Sequence, residues 1–230
     1  MKIKVFNIRE RLINDYDFIN NIDLHPIMVS VIGSQNYNLD DEESNLQTIG
    51  VVDEDIHDFI FELDNDGKNT LKLVSWKNFC KRYKQGNFNY YEMLHNRREY
   101  LLADCNGRMK ISKLADLYDK NKMSIYLCDS ILKDCSLVIN HYPAKLENYS
   151  HGYNSKKLYY VHLYSKFLLK LYNNEHCFSF AFNDYEEIET MKIIKRQKMY
   201  SIDEVSEYIE KTKELVLDIK SKINDRRKEE

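Results

Sequence analysis

Apolar and polar positions in this chain alternate between two periods. Ile8, Leu12, Tyr16 and Ile19 recur at helical spacing and predict a short amphipathic helix over Ile8 to Asn20. His25-Pro26 marks its join to the first strand, because the residue before a proline leaves helical geometry. The β-branched and apolar run Ile27 to Ile32 reads as that strand, buried and stopping at Gly33-Ser34. A polar, acidic excursion leads to a second apolar run, Leu46 to Val52. Phe59 to Leu63, the turn Asp64-Asn65-Asp66-Gly67 and the return Thr70 to Val74 predict a hairpin completing a small mixed sheet.

Helical periodicity takes over in the remainder. Ser75 predicts an N-cap for a helix with Trp76, Phe79, Cys80 and Tyr83 on one face, ending near Gly86. Gly86-Asn87-Phe88-Asn89 opens onto Tyr90 to Leu94, where Glu92 is expected to be an exposed helix residue. A helical pattern runs from Ile111 to Asn140, through Ile111, Leu114, Ala115 and Tyr118 and then Leu127, Ile131, Leu132 and Cys135. Asn148 to Asn154 reads as a polar loop before a strong helix starting near Ser155, with His162 expected as a hydrogen-bonded core histidine. Ser201 and Glu204 form a capping box, Tyr200 and Val205 a hydrophobic staple. Ile202, Val205, Ile209, Val216, Ile219 and Ile223 form one apolar stripe in the last helix.

Composition limits the function classes. At 230 residues, with 43% hydrophobic residues and two prolines, the chain is a folded protein rather than a disordered one. Cys80, Cys105, Cys128, Cys135 and Cys177 have no paired metal-ligand spacing and read as reduced thiols. The N-terminus has no apolar signal core and no run reaches membrane-spanning length, so the expectation is a cytoplasmic protein without a membrane partner.

Net charge is −3, unevenly spread. Eleven carboxylates and no Lys or Arg lie between Asp40 and Asp66, whereas basic residues predominate from Lys68 to Lys113. Gathered in space, Asp40, Asp41, Glu42, Glu43, Asp53, Glu54 and Asp55 would repel triphosphates and attract a basic surface. Dispersed, they are solvated loop charges. Interleaving of the basic stretch with Tyr83, Phe88, Tyr90, Tyr91 and Tyr100 raises an RNA- or nucleotide-binding surface as a further expectation.

The window Gly33 to Gly50 resembles the polymerase β-type nucleotidyltransferase superfamily, in particular a group common in bacteria and phages. That group's signature is Gly-Ser, two residues, Tyr-Gly, a stretch ending in Ser before Asp-x-Asp, and a Gly three residues on. Gly33, Ser34, Tyr37, Leu39, Ser44 and Gly50 fall on it without a gap, while Asn38 replaces the Gly and Asn45 and Gln47 replace the two aspartates. A third family carboxylate maps to Thr70. Further likeness lies in Gly86 to Asn89, in Lys157 and His162 as counterparts of a Lys and a His, and in Met191 to Arg196 with the helix after it.

The resemblance implies an α+β fold with a nucleotidyltransferase-like mixed sheet and flanking helices over 1–101, followed by a helical part over 102–230. It implies a phosphate-binding-like loop at Gly33 and Ser34, at which N–H groups and a hydroxyl are donors. Family members hold divalent cations on the acids. Neutral amides bring no charge to offset the dehydration of Mg²⁺, so no metal is expected at Asn45, Gln47 and Thr70. The expectation is a catalytically inactive protein that acts by binding a basic protein, such as a phage or mobile-element inhibitor of a host nucleic-acid enzyme. The alternatives are an active, Mg²⁺-dependent nucleotidyltransferase drawing substitute ligands from Asp40 to Asp55, and a nucleotide or RNA binder without turnover.

Overall fold

The computed structural model describes residues 7–40, 44–64, 67, 69–95, 97–114, 117–139, 152–175, 182, 184–196 and 200–229. They have a mixed α/β architecture, with a five-stranded sheet flanked by helices and a C-terminal helical region. The chain divides into two compact units, Met1–Asp119 with Cys177–Phe180, and Lys120–His176 with Ala181–Glu230.

The first unit is built on the sheet β3-β4-β2-β1-β5. Its strands are β1 (Pro26–Ile32), β2 (Gln47–Val52), β3 (Phe59–Glu62), β4 (Thr70–Ser75) and β5 (Leu101–Ala103). β1 runs antiparallel to β2 and β5, β2 runs parallel to β4, and β3 returns antiparallel to β4. Helix α1 (Ile8–Asn21) lies on one face, where Leu12 and Ile19 pack with Val29, Val31, Leu46, Val52, Leu71 and Leu73. Gly50 sits beneath it. A Cβ there would stand 2.6 Å from Ile19 Cδ1 and 2.8 Å from Leu73 Cδ2, so any side chain at this position would require those two side-chain ends to move.

Strand residues alternate between faces, so Ser30 points the other way from Val29 and Val31. Its hydroxyl meets the Met93 carbonyl of α3 (Phe88–Leu94), which places α3 on the second face. Helix α2 (Trp76–Lys84) begins as expected, with the Ser75 hydroxyl accepting from Asn78 N–H. Phe79, Tyr83, Phe88, Tyr90 and Tyr91 are all buried. Of the aromatics expected on a nucleic-acid surface, Tyr83, Phe88, Tyr90 and Tyr91 are therefore core, whereas Tyr100 is half-buried with Arg97 over its ring.

The helical pattern expected from Ile111 is two helices. α4 (Cys105–Ser112) is capped by Asp104 and ends before Leu114, and α5 (Lys120–Val138) starts afresh. Gly107 of α4 comes so close to the Ile27 carbonyl that a Cβ would lie 2.0 Å from it. A three-residue strand such as β5 leaves no periodicity to read, and it was not expected.

The second unit is helical. It comprises α5, α6 (Ser155–Tyr172), α7 (Tyr185–Lys195) and α8 (Ile202–Glu229). Asn154 caps α6, and the Ser201–Glu204 box opens α8, with Ser201 N–H donating to Glu204 at 2.8 Å and Glu204 N–H to the Ser201 hydroxyl at 3.3 Å. Val205, Ile209, Val216, Ile219 and Ile223 are buried along one stripe, whereas Ile202, expected on it, is exposed. Among the described residues no helix is long and apolar enough to cross a membrane.

Candidate functional site

The first unit's polar centre forms where β1 ends. Gly33 has φ 90° and ψ −152°, a conformation open essentially to glycine, and it turns the chain into a single 3-10 turn over Ser34–Tyr37. Asn38 ends that turn in the left-handed region at φ 60°. Asn is among the few non-glycine residues that tolerate that region. Asn38 also accepts from Arg97 Nη2 at 2.6 Å.

Beneath the turn lies Glu92. It was expected at the surface of its helix, but only 5% of it is exposed. Its Oε1 accepts from Gly33 N–H at 2.6 Å and from the Asn36 side-chain amide. Burial pushes its pKa up to about 7, against the pull of the Gly33 N–H, Asn36 and Tyr37, which favour the charged form. The Gly33 donor that a phosphate would need is thus occupied by a carboxylate of the same chain.

The three positions that map onto family acids converge beside this turn. Gln47 is paired with Ile32 across β1 and with Thr70 across β4, which places these side chains on one face in one row. Asn45 and Gln47 are exposed, with the buried Leu46 pointing the other way. Gln35 of the turn ties the two segments together, its amide donating to the Asn45 carbonyl at 2.9 Å. Glu62 of β3 stands opposite Thr70 in the same row. It is the nearest acid in the register, and sequence reasoning missed it because the hairpin register was not fixed by the turn residues alone.

On the sheet's other face, Thr48 belongs to a buried clamp. Its hydroxyl donates to Asp15 at 2.6 Å, Arg11 Nε meets both Asp15 oxygens at 2.8 Å, and Arg11 Nη2 reaches the Thr70 carbonyl at 3.4 Å. Burial raises the Asp15 pKa, with Thr48 and Arg11 acting against it. This clamp fixes the starts of β2 and β4, and with them Gln47 and Thr70.

The sequence left open whether the acids gather or stay dispersed. Asp53, Glu54 and Asp55 follow the end of β2 away from Gln47, about 20 Å along the strand at 3.3 Å per residue. They pair within the chain: Asp53 with Lys110, Glu54 with His25, and Asp55 with Lys77 at 2.8 Å. Asp58 likewise meets Arg82 at 2.5 Å and Lys72 at 3.3 Å. Asp40 is exposed, and Asp41, Glu42 and Glu43 lie outside the described residues. No group of three or more His, Cys, Asp and Glu side chains comes together among the described residues.

Lys157 and His162 of α6 separate in role. Lys157 bonds Asp134 of α5 at 2.7 Å. His162 stacks on Tyr208 of α8, with ring centroids 4.0 Å apart, and burial pulls its pKa down to about 4. It was expected to be hydrogen-bonded. No family model matches the chain, and no curated protein is significantly similar to it.

Proposed function

We propose that this chain is a nucleotidyltransferase-fold protein of the polymerase β type that no longer carries out metal-dependent transfer and acts by binding. The carrying observation is the row Gln47–Thr70 beside the Gly33 turn, with Asn45 exposed next to it. Positions that would hold two divalent ions bear two amides and a hydroxyl. Neutral oxygens of this kind do not compensate the dehydration of Mg²⁺, and phosphoryl transfer has little other means of neutralising charge.

Three further observations support the reading. The order of helix, strand, Gly-Ser turn, antiparallel strand, parallel strand and Ser-capped helix suits that superfamily. Asn38 keeps the left-handed geometry of the glycine it replaces. Glu92 satisfies the Gly33 N–H internally, which removes a phosphate donor. Substitute ligands from Asp53 and Asp55 are disfavoured by their distance and by their own cations.

The partner in this reading is a protein with a basic surface, such as a host nucleic-acid enzyme blocked by a phage or mobile-element product. Since Asp53, Glu54 and Asp55 are paired within the chain, the charge offered to it narrows to acids such as Asp40 and Glu62. Calorimetry tests the loss of chemistry. The wild-type chain should give no Mg²⁺-dependent nucleotide binding, and the Asn45→Asp/Gln47→Asp/Thr70→Asp variant should gain a Mn²⁺ site. Saturable Mg²⁺-dependent nucleotide binding by the wild type would overturn the inactive reading. A folded triple variant that binds no Mn²⁺ would overturn the family placement.

A further inference from the structure

The second unit contains a pocket that the proposed function does not use. It has a volume of about 130 Å³ and is lined, among the described residues, by Leu158 and His162 of α6 and by Tyr200, Glu204, Val205 and Tyr208 at and after the start of α8. Leu158 and His162 are one helical turn apart and face it together. Tyr200 and Val205 belong to the staple of α8 and Glu204 to its capping box, so the local signals that start the helix also build the mouth.

His162 makes no hydrogen bond among the described residues and is half-buried. Its nitrogens are not sealed from water, so a ligand here would take the place of solvent at them. One face of its ring is covered by Tyr208, with an interplanar angle of 11°. What remains available is therefore the ring edge, where the nitrogens are. Because burial keeps the imidazole neutral at physiological pH, that edge presents one N–H donor and one acceptor.

The rest of the lining narrows the ligand. An apolar cavity of about 150 Å³ admits a benzene ring, so this one has room for a single six-membered ring. The Leu158 and Val205 walls suit a flat neutral body and disfavour an ammonium ion, which would lose its hydration there. Glu204 repels anions. One of its oxygens is engaged by Ser201 N–H and Oγ, and a carboxylate has further acceptor positions but no proton to donate.

We propose that this pocket binds a neutral, amino-bearing nitrogen heterocycle of the cytosine type, with a ring nitrogen accepting from the His162 edge and the exocyclic amine donating to Glu204. The site lies wholly within the second unit and stands or falls independently of the proposed loss of nucleotidyl transfer.

The test titrates the full chain with cytidine and with uridine, read by calorimetry and by saturation-transfer NMR on the ligand. Cytidine should bind saturably and at least tenfold more tightly than uridine, whose carbonyl at that position meets an acceptor. His162→Phe keeps the ring and its stack but removes the nitrogens. It should weaken cytidine binding at least tenfold while melting at or above the wild-type temperature. Glu204→Gln, whose amide can donate or accept, should narrow the preference over uridine. No saturable binding of either nucleoside would mean that water alone fills the pocket and would overturn the proposal. Equal affinity for the two, or unchanged binding by a folded His162→Phe variant, would overturn it as well.

Discussion

Glu92 is buried and His162 half-buried, and the surroundings of these two ionisable side chains differ in kind. Glu92 lies under the Gly33 turn with backbone and side-chain donors converging on one oxygen. His162 faces a cavity and makes no hydrogen bond among the described residues. A buried polar group that is fully engaged holds a fold together, whereas one left unengaged beside open space marks where a ligand would fit. The contrast also bears on the first unit, where the Gly33 N–H is satisfied from within by Glu92.

Removing each group should therefore have opposite effects. Glu92→Ala leaves the Gly33 N–H and the Asn36 amide unpaired in a closed space, and at pH 5 it should cost about 4 kcal/mol. Denaturant titration followed by circular dichroism reads this as a lower midpoint. A loss below about 1 kcal/mol would show that the carboxylate is not the clamp.

The pH profiles sharpen the comparison. The folded-state pKa of Glu92 lies at about 7, above the ordinary 4.5, so between these values the folded chain holds a proton that the unfolded chain has released. Its contribution is fully present below about 4.5 and falls as pH rises through 7, with an amplitude of about 3 kcal/mol. His162 runs the other way. Its pKa falls from 6.5 to about 4, so its contribution is fully present above 6.5 and is lost as pH falls through 4, again by about 3 kcal/mol. Stability measured against pH for the wild type minus Glu92→Gln, and minus His162→Phe, should give slopes of opposite sign. Equal signs would break the contrast.

Gly33→Ala should cost about 1–3 kcal/mol through backbone strain alone, because an added Cβ would meet nothing within 4 Å. His162→Phe should stabilise the second unit by about 1 kcal/mol, since an apolar ring of similar shape needs no partner; thermal melting checks it. Smallest is Lys77→Ala, which removes the exposed partner of Asp55 and should leave the midpoint unchanged within error.

Much of the local structure was legible in the sequence. The Ser75 cap, the Ser201–Glu204 box, the stop of β1 at Gly33 and the stripe of α8 depend on neighbours within a few residues, and such signals are written in order along the chain. The candidate site was legible only in outline. The resemblance singled out Gln47 and Thr70, but their pairing across β2 and β4 and the Arg11–Asp15–Thr48 clamp beside them join distant segments and leave no periodic trace. The acid-rich stretch could not be assigned from sequence because its partners come from elsewhere: Lys72, Lys77, Arg82 and Lys110, with His25 bonded to Glu54. Whether the aromatics after Lys68 are surface or core was not legible, because composition does not say which face of a helix meets a sheet.

By itself the sequence determined several caps and stops, which turn needs a glycine, and that amides stand where the resemblance would place acids. Only the tertiary structure decided that Glu92 is buried against the Gly33 turn, that the acids of Asp53 to Asp55 are matched at home, and that His162 faces a cavity. The division has one cause. Backbone geometry and capping are set by contacts between near neighbours, whereas burial and charge pairing depend on which distant segments the folded chain brings together.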